Sequence, residues 1–535
     1  MEVAEELKGR SLSSERLAWG FLAGLVVLHV ALALLLFDPK PFVGGDNAGY
    51  MILAESIETG QGYRDIHIPG APRHGQYPPA YPMVLALAAA LGGGLITFKI
   101  LSAVFTSTSL VFLYLLARRR LSLEGSLAVV APFAVSSVLL YYSHWVLSEA
   151  LFVLLTLTAL WASERLLDSR RWLALSFGFA LLAYLTRSAG LPLVLALLVV
   201  LASRRRWREL AAAGSGALVV VLGWWMWGRL ATGEGAEVYS SNFLLVDPYT
   251  PELGMVGPGG LLARVLYNIR LYAVDVLPES LVGATPGLPT LMLAFVAALL
   301  LIALALVAWV RGIRRGNVLE LFVFLYVALI VLWPDAWTDR RFLLPVLPVV
   351  FLLGASGLQW CLDFLRLRRT AWPLPVYGAI LAVLAVPSLV VSIGYSQECM
   401  RIYRQGDEFA CYLGPWRAFA EVAGWVEDNT PDDAIVVGRK PRLVYIFSGR
   451  RGNVYPFTTE DEEMLAFLDE LQADYVMVVP VSRTTYQYML PVILSVPERF
   501  EVVYEIDDGR TIPSYVLKYY PEGDSPIVPQ AEERM

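Results

Sequence analysis

One carboxylate is set apart by its neighbours. Asp46 follows Gly44 and Gly45 and precedes Asn47, Ala48, Gly49 and Tyr50, at the head of a stretch with helical signals through Ile57. An acid in that position can cap the helix that starts after it, or it can take a proton from a hydroxyl group. The same segment runs on through Gly60-Gln61-Gly62-Tyr63 to Arg73-His74-Gly75-Gln76-Tyr77-Pro78-Pro79-Ala80-Tyr81-Pro82. Its prolines rule out a continuous spanning helix. Further polar residues stand at the ends of apolar runs: His144 and Glu149 around one turn, Arg187 after Thr186, and Asp335 and Asp339 beside Arg340 and Arg341. Each has an ordinary structural reading. A lone His144 is hydrogen-bonded framework, Glu149 favours its helix N-terminus, Asp335 and Asp339 pair with Arg340, and the arginines snorkel to headgroups.

The elements that must hold these residues are apolar. The 535-residue chain is 57% hydrophobic and 17% charged, where a soluble protein carries about 25% charge. The apolar residues come in runs at 17–37, 95–117, 123–141, 147–166, 172–185, 189–202, 211–228, 288–310, 318–333, 342–360 and 371–395. Most are long enough for a hydrocarbon layer about 30 Å thick, and backbone in lipid must satisfy itself as helix. About eleven transmembrane helices are expected. The first run is longer than a signal-peptide core and ends in Asp38-Pro39-Lys40-Pro41, so it reads as a retained anchor. The net charge of −6 is not concentrated as a basic face, which leaves nucleic-acid binding unsupported.

Charge sorting gives orientation. Arginine clusters at 118–120, 165–171, 204–208, 311–315 and 366–369 each follow an even-numbered run. The positive-inside rule puts all five in the cytoplasm. The loop 38–94, the turns at 144–149, 186–187 and 333–341, the loop 229–287 and everything after 395 then lie outside. Loop 229–287 contains Gly257-Pro258-Gly259-Gly260 and an amphipathic stretch at 261–276, either a lid or a helix lying on the surface. The short apolar stretch at 83–91 suits an interfacial helix.

Residues 396–535 change character. Strand-like runs at 434–437, 443–447, 475–479, 501–504 and 515–519 alternate with helical ones at 416–429 and 459–471. They predict a small extracytoplasmic α/β domain of structural or acceptor-handling role, after a transmembrane domain of residues 1–395. Three cysteines exclude a disulfide-built scaffold. Cys399 and Cys411 share the outer region, where they either bridge or stay as buried thiols.

The order of these landmarks carries a resemblance. Asp46-Asn47-Ala48-Gly49-Tyr50, then Gly60-Gln61-Gly62-Tyr63, Tyr77-Pro78-Pro79-Ala80-Tyr81-Pro82 and a short apolar helix resemble the GT-C glycosyltransferases. The likeness is greatest to bacterial relatives of protein O-mannosyltransferases and of the lipid A aminoarabinose transferase. Leu147-Ser148-Glu149, Leu185-Thr186-Arg187 and Arg340-Arg341-Phe342-Leu343-Leu344-Pro345 extend it over residues 17–360.

The resemblance implies an inner-membrane enzyme that takes a sugar from a polyprenyl-phosphate carrier and passes it, outside the membrane and with inversion, to a hydroxyl of a protein, lipid or glycan. Asp46 occupies the position of the general base. Arg187 and Arg340 or Arg341 would face the departing phosphate, which needs preorganised positive charge. Where aminoarabinose-type relatives carry Lys before Pro-Pro, this chain has Gln76-Tyr77, so Arg73, His74 or Tyr77 would make that contact. Asn47, Tyr50, His144 and Glu149 are pocket candidates. Several relatives carry a second acid where Asn47 stands, so no metal is required, although a divalent ion remains open. The rivals are a secondary transporter and a non-catalytic scaffold. Transporters set charged or unwound sites at mid-membrane, often between repeated halves, and here the helix centres are nearly free of charge. An oligosaccharyltransferase-type Trp-Trp-Asp signature is absent, Gly223-Trp224-Trp225-Met226-Trp227 reading as a buried aromatic run.

Overall fold

The computed structural model describes residues 2–44, 46–231, 243–283, 288–367, 372–507 and 512–522. Gly45, Arg368, Arg369 and the 232–242 part of the long loop, all weighed above, lie outside the described residues.

Every expected apolar run is helical. Among the described residues six helices are long and apolar enough to cross a membrane: Glu15–Leu35, Leu95–Ala117, Trp207–Ala231, Pro289–Arg314, Leu347–Phe364 and Pro373–Arg404. The other five are Leu123–Ala134, Glu149–Ser163, Arg170–Thr186, Leu191–Ser203 and Val318–Leu332, of 12 to 17 residues. At about 1.5 Å per residue they fall short of a ~30 Å hydrocarbon layer. Irregular backbone continues them, including short 3₁₀ turns at Ser188–Gly190 and Asp335–Trp337. Such backbone is tolerated at membrane depth only where protein covers it or it lines a cavity. The chain is a multi-pass membrane protein.

One expected run is two helices. Pro132 lies in the last turn of Leu123–Ala134, and the Ser136 hydroxyl accepts from the Leu139 N–H at 3.4 Å, starting Ser137–Tyr142 afresh. The aromatic run at 224–227 is not buried as expected: Trp225 and Met226 are 55% and 54% exposed, on the outside of the bundle. Packing inside is close. A Cβ on Gly357 would lie 1.9 Å from the Leu304 carbonyl oxygen, so only glycine lets Leu347–Phe364 pack against the helix that carries Leu304.

The arginine-rich loops gather at one end of the bundle. Arg120 pairs with Glu164 at 2.7 Å and Glu320 at 2.5 Å, Arg204 donates to the Arg315 carbonyl at 2.6 Å, and Arg311 stacks over Trp360. The first loop is at the other end. Lys99, buried near the start of Leu95–Ala117, donates back to the carbonyls of Asp38, at 2.6 Å, and Lys40, while the same helix ends at Arg118. That loop contains the helices Asn47–Glu58 and Ala80–Ala90.

The C-terminal domain is a four-stranded sheet of order β1-β2-β4-β3: β1 (Val436–Gly438) parallel to β2 (Tyr475–Val478), and β4 (Ser514–Tyr519) antiparallel to both β2 and β3 (Phe500–Ile506). Gly414–Asn429 covers one face through Phe419, Val422 and Val426, and Asp461–Leu471 the other through Met464 and Leu468. The run expected as a strand at 443–447 is instead part of a helix, Pro441–Ser448. Pro441 suits its first turn and Gly449, at φ 69°, its left-handed end, and these two stops outweigh the β propensity of Val444, Tyr445, Ile446 and Phe447. The last membrane helix runs to Arg404, past the expected limit, and Cys399 and Cys411 are bonded across the connection. Cys361 is free.

Candidate active site

Asp46 stands at the N-cap position of Asn47–Glu58, but its side chain makes no capping bond. Oδ1 accepts from the Tyr77 hydroxyl at 3.0 Å and Oδ2 from Arg341 Nη1 at 3.1 Å. The carboxylate is turned away from its own helix into a cavity of about 580 Å³. Burial pushes its pKa up. The charge of Arg341, followed by Arg187, the Tyr77 hydroxyl and Arg442, more than offsets this and holds Asp46 below the usual carboxylate value.

Behind Arg341 the charges alternate. Its Nη1 is 3.9 Å from Glu149 Oε1, which also accepts from Arg187 Nη1 at 2.7 Å. Arg187 follows Arg170–Thr186 in extended conformation and also donates to the Ser148 hydroxyl at 2.9 Å. Tyr50 shares that hydroxyl at 2.9 Å. Glu149 is 2% exposed, and its second oxygen has no hydrogen-bond partner among the described residues. Leaving an uncompensated charge in such a network by removing one partner is costly, about 3–5 kcal/mol.

The C-terminal domain supplies the opposite wall. Arg442, in the first turn of Pro441–Ser448, donates to the Tyr77 hydroxyl at 2.5 Å and to Gln76 Oε1 at 3.0 Å. Gly49 makes this approach possible, because a Cβ there would meet the Tyr77 ring at 2.7 Å and Arg442 Nη1 at 3.2 Å. Domain contact is reinforced by Tyr445 on Glu55 at 3.0 Å and by the Gly452 N–H on the His67 carbonyl at 2.8 Å. Arg439 and Lys440 also line the cavity, so five cations face it (Arg187, Arg341, Arg439, Lys440 and Arg442) with Asp46 the one acid among its described lining residues.

An aromatic wall closes one side. Trp333 and Trp337 pack at 5.8 Å, with Phe243 and Tyr249 beside them. The amphipathic stretch expected at 261–276 forms the helix Pro258–Leu271 and a π turn, Tyr272–Val276. It fixes this wall: Arg264 donates to the Phe243 carbonyl at 2.9 Å, and Asn268 to the Trp333 carbonyl at 2.9 Å.

The expected site residues divide. Asp46, Tyr50, Tyr77 and Arg187 line the cavity, and Glu149 supports it from behind through the two arginines. Arg341, not Arg340, enters the cavity. His74 lies in the frame of the loop: Nδ1 donates to Asp65 at 2.9 Å, and Nε2 accepts from the Tyr77 N–H at 2.7 Å. Burial lowers its pKa, which fits the neutral tautomer those two bonds require. Arg73 is exposed and stacks over Trp227 outside the cavity. His144 is buried against Tyr141 and Trp145, away from the cavity, and burial pulls its pKa down to about 3. Asn47 is buried, with neither carboxamide atom hydrogen-bonded among the described residues, and does not line the cavity. Arg439, Lys440 and Arg442 were not anticipated, although three cations within four residues around Pro441 are a visible signal. Among the described residues no group of three or more His, Cys, Asp or Glu side chains is arranged to hold a metal ion.

The helical bundle, with short helices in its first loop, a charged cavity at one end and a small sheet domain over it, has the fold of the GT-C membrane glycosyltransferases. Residues 76–227 match the family described as dolichyl-phosphate-mannose-protein mannosyltransferase. ArnT from Cupriavidus metallidurans, solved bound to undecaprenyl phosphate, superposes with a TM-score of 0.57 at 14% identity, covering 95% of this chain and 99% of that one. The archaeal oligosaccharyltransferase AglB from Archaeoglobus fulgidus, solved with an inhibitory peptide and a dolichol-phosphate, gives a TM-score of 0.55 at 13% identity, covering 92% of this chain and 74% of that one. No curated protein matches by sequence.

Proposed function

We propose that the chain transfers a sugar from a polyprenyl-phosphate donor to an acceptor hydroxyl on the extracytoplasmic side of the inner membrane, with inversion and with Asp46 as general base. The observation that carries this reading is the Asp46 carboxylate, freed from its helix and turned into a cavity lined by five cations. The acceptor oxygen attacks the anomeric carbon, the bond from that carbon to the phosphate oxygen breaks, and its electron pair stays on the phosphate. The acceptor proton passes to Asp46. Charge grows on the departing phosphate, where Arg187 and Arg341 are preorganised to receive it. The sidedness rests on the sorting of arginines to the opposite end of the bundle.

The arginines also bear on when Asp46 is basic. Arg341 and Arg187 hold it below the usual carboxylate value, which makes it a weak base. A donor phosphate competes for the same guanidinium groups and lets the carboxylate recover proton affinity as substrate binds. Binding and activation of the base are thereby coupled. No step in this scheme is assigned to a metal.

The test is release of polyprenyl phosphate from synthetic polyprenyl-phosphate sugars by purified full-length protein, with Asp46→Asn as the control. General-base removal costs about 10²–10⁴-fold, so the variant should bind polyprenyl phosphate and lose turnover on that scale. Asp46→Asn turnover at the wild-type rate would overturn the assignment of the base. Accumulation of an unaltered substrate in sealed vesicles would instead establish the transporter reading.

A further inference from the structure

Charge matching in the cavity is uneven. On the membrane-domain wall, Arg187 is paired with Glu149 and Arg341 with Asp46. On the opposite wall, Arg442 donates to the neutral partners Tyr77 and Gln76. Arg439 lies against the rings of Tyr249 and Phe457, at 5.6 and 5.1 Å, and its Nε is buried without a hydrogen-bond partner. The Lys440 ammonium makes no hydrogen bond or ion pair among the described residues. Burial, then Arg439, pull its pKa down to about 8; Asp46 raises it and Arg442 lowers it further.

A phosphodiester donor brings one negative charge. Neither Arg439 nor Lys440 has an acidic partner within ion-pair distance among the described residues, and the donor's one charge goes to Arg187 and Arg341. The unmatched ones are grouped. They are consecutive residues of the C-terminal domain, on the wall facing the Arg187 and Arg341 pair. Cations buried without counter-charge are costly, and a second anion removes that cost.

We propose that Arg439 and Lys440 form a second oxyanion subsite, which takes a phosphate group additional to the one Arg187 and Arg341 receive. The inference rests on the glycosyl-transfer reading above and deepens it. The second phosphate comes either from a diphosphate-linked donor or from the acceptor, and the two sources predict different binding behaviour. Tyr249 keeps the subsite in place. Its carbonyl accepts from the Tyr488 hydroxyl of the C-terminal domain at 3.1 Å, so the ring on which Arg439 rests is tied to the same domain.

The test is equilibrium binding to the full-length protein in detergent, using polyprenyl monophosphate, polyprenyl diphosphate and inorganic phosphate as probes. If the donor brings the second group, diphosphate binds at least about tenfold tighter than monophosphate, and the Arg439→Gln/Lys440→Gln variant erases that preference. If the acceptor brings it, the two lipids bind alike. Inorganic phosphate then binds to protein already saturated with polyprenyl monophosphate, and the double variant weakens it at least about tenfold. Wild-type protein that shows neither a diphosphate preference nor phosphate binding overturns the subsite, and this comparison needs no variant. A preference or phosphate affinity that survives in both the double variant and Lys440→Gln, with thermal midpoints checked, overturns it as well. Failure to bind any polyprenyl phosphate would sink the glycosyl-transfer reading itself, whereas intact monophosphate binding without a second anion sinks only this inference.

Discussion

Two polar clusters grow from the first loop, and they are built differently. Around His74 every valence is used: Asp65 takes one ring nitrogen, the Tyr77 N–H fills the other, and the side chain is buried. Around Asp46 the charges alternate through Arg341, Glu149 and Arg187 and open onto a cavity whose cations outnumber its acids. Tyr77 joins the two, its N–H serving the frame and its hydroxyl serving Asp46. The difference separates residues that hold a loop from residues that await a ligand, although both kinds are buried polar side chains in one segment.

Substitutions can break or sharpen that contrast. Among the residues around Asp46, the largest effect is expected for Arg187→Gln. Loss of one preorganised donor to a developing oxyanion costs about 10²–10³ in kcat, read as steady-state release of polyprenyl phosphate, whereas an unchanged kcat would reduce Arg187 to a bundle salt bridge. Arg442→Ala should cost about tenfold in kcat/KM, about 1.4 kcal/mol, and leave a signature in pH. Asp46 is held low partly by Arg442, so removing that charge moves the acid limb of the kcat/KM profile upward. Arg341→Gln, which removes the larger influence, should move it further. A limb that stays in place in both variants would detach Asp46 from the rate.

The frame should answer in stability instead. His74→Ala leaves the Tyr77 N–H and Asp65 without their partner, at a cost of about 1–3 kcal/mol, and lowers the thermal midpoint while kcat falls less than for Arg187→Gln. Burial raises the Asp65 pKa, but the hydrogen bond from His74 and the charge of Arg442 bring it to about 2. Its folded value is therefore depressed. The stability it contributes is fully present above the unfolded value near 4 and is lost as pH falls towards 2. Asp65→Asn should flatten the acid side of the midpoint-against-pH curve between those values. Smallest of all is Arg73→Ala, outside the cavity, for which turnover should stay within about twofold; a larger loss would extend the site to that side of the loop.

Much of this was legible in the residues because a membrane is a strict solvent. Hydrocarbon thickness sets the length of apolar runs, and each of the eleven was found helical, one of them split into two helices after Ala134. The same constraint sorts the arginines to one end. Asp46 was legible as an acid between glycines and an asparagine, but its release from capping was not, because that depends on Tyr77 and Arg341 arriving from elsewhere. The choice between Arg340 and Arg341 was closed to sequence reasoning for a simple reason. Both lie in a 3₁₀ turn, where consecutive side chains point about a third of a turn apart, and only tertiary packing decides which one faces inward. Arg442 was out of reach because it meets Tyr77 across 365 residues of chain. The helix that carries it also reads as a strand by composition.

In the proposed mechanism a hydroxyl displaces polyprenyl phosphate in one step assisted by Asp46. The most direct measurement is the anomeric configuration of the glycoside formed by the full-length protein from a synthetic polyprenyl-phosphate sugar, followed together with release of the lipid phosphate. The account predicts stoichiometric release and a product of inverted configuration. Retained configuration, or no release with any donor sugar, would contradict it.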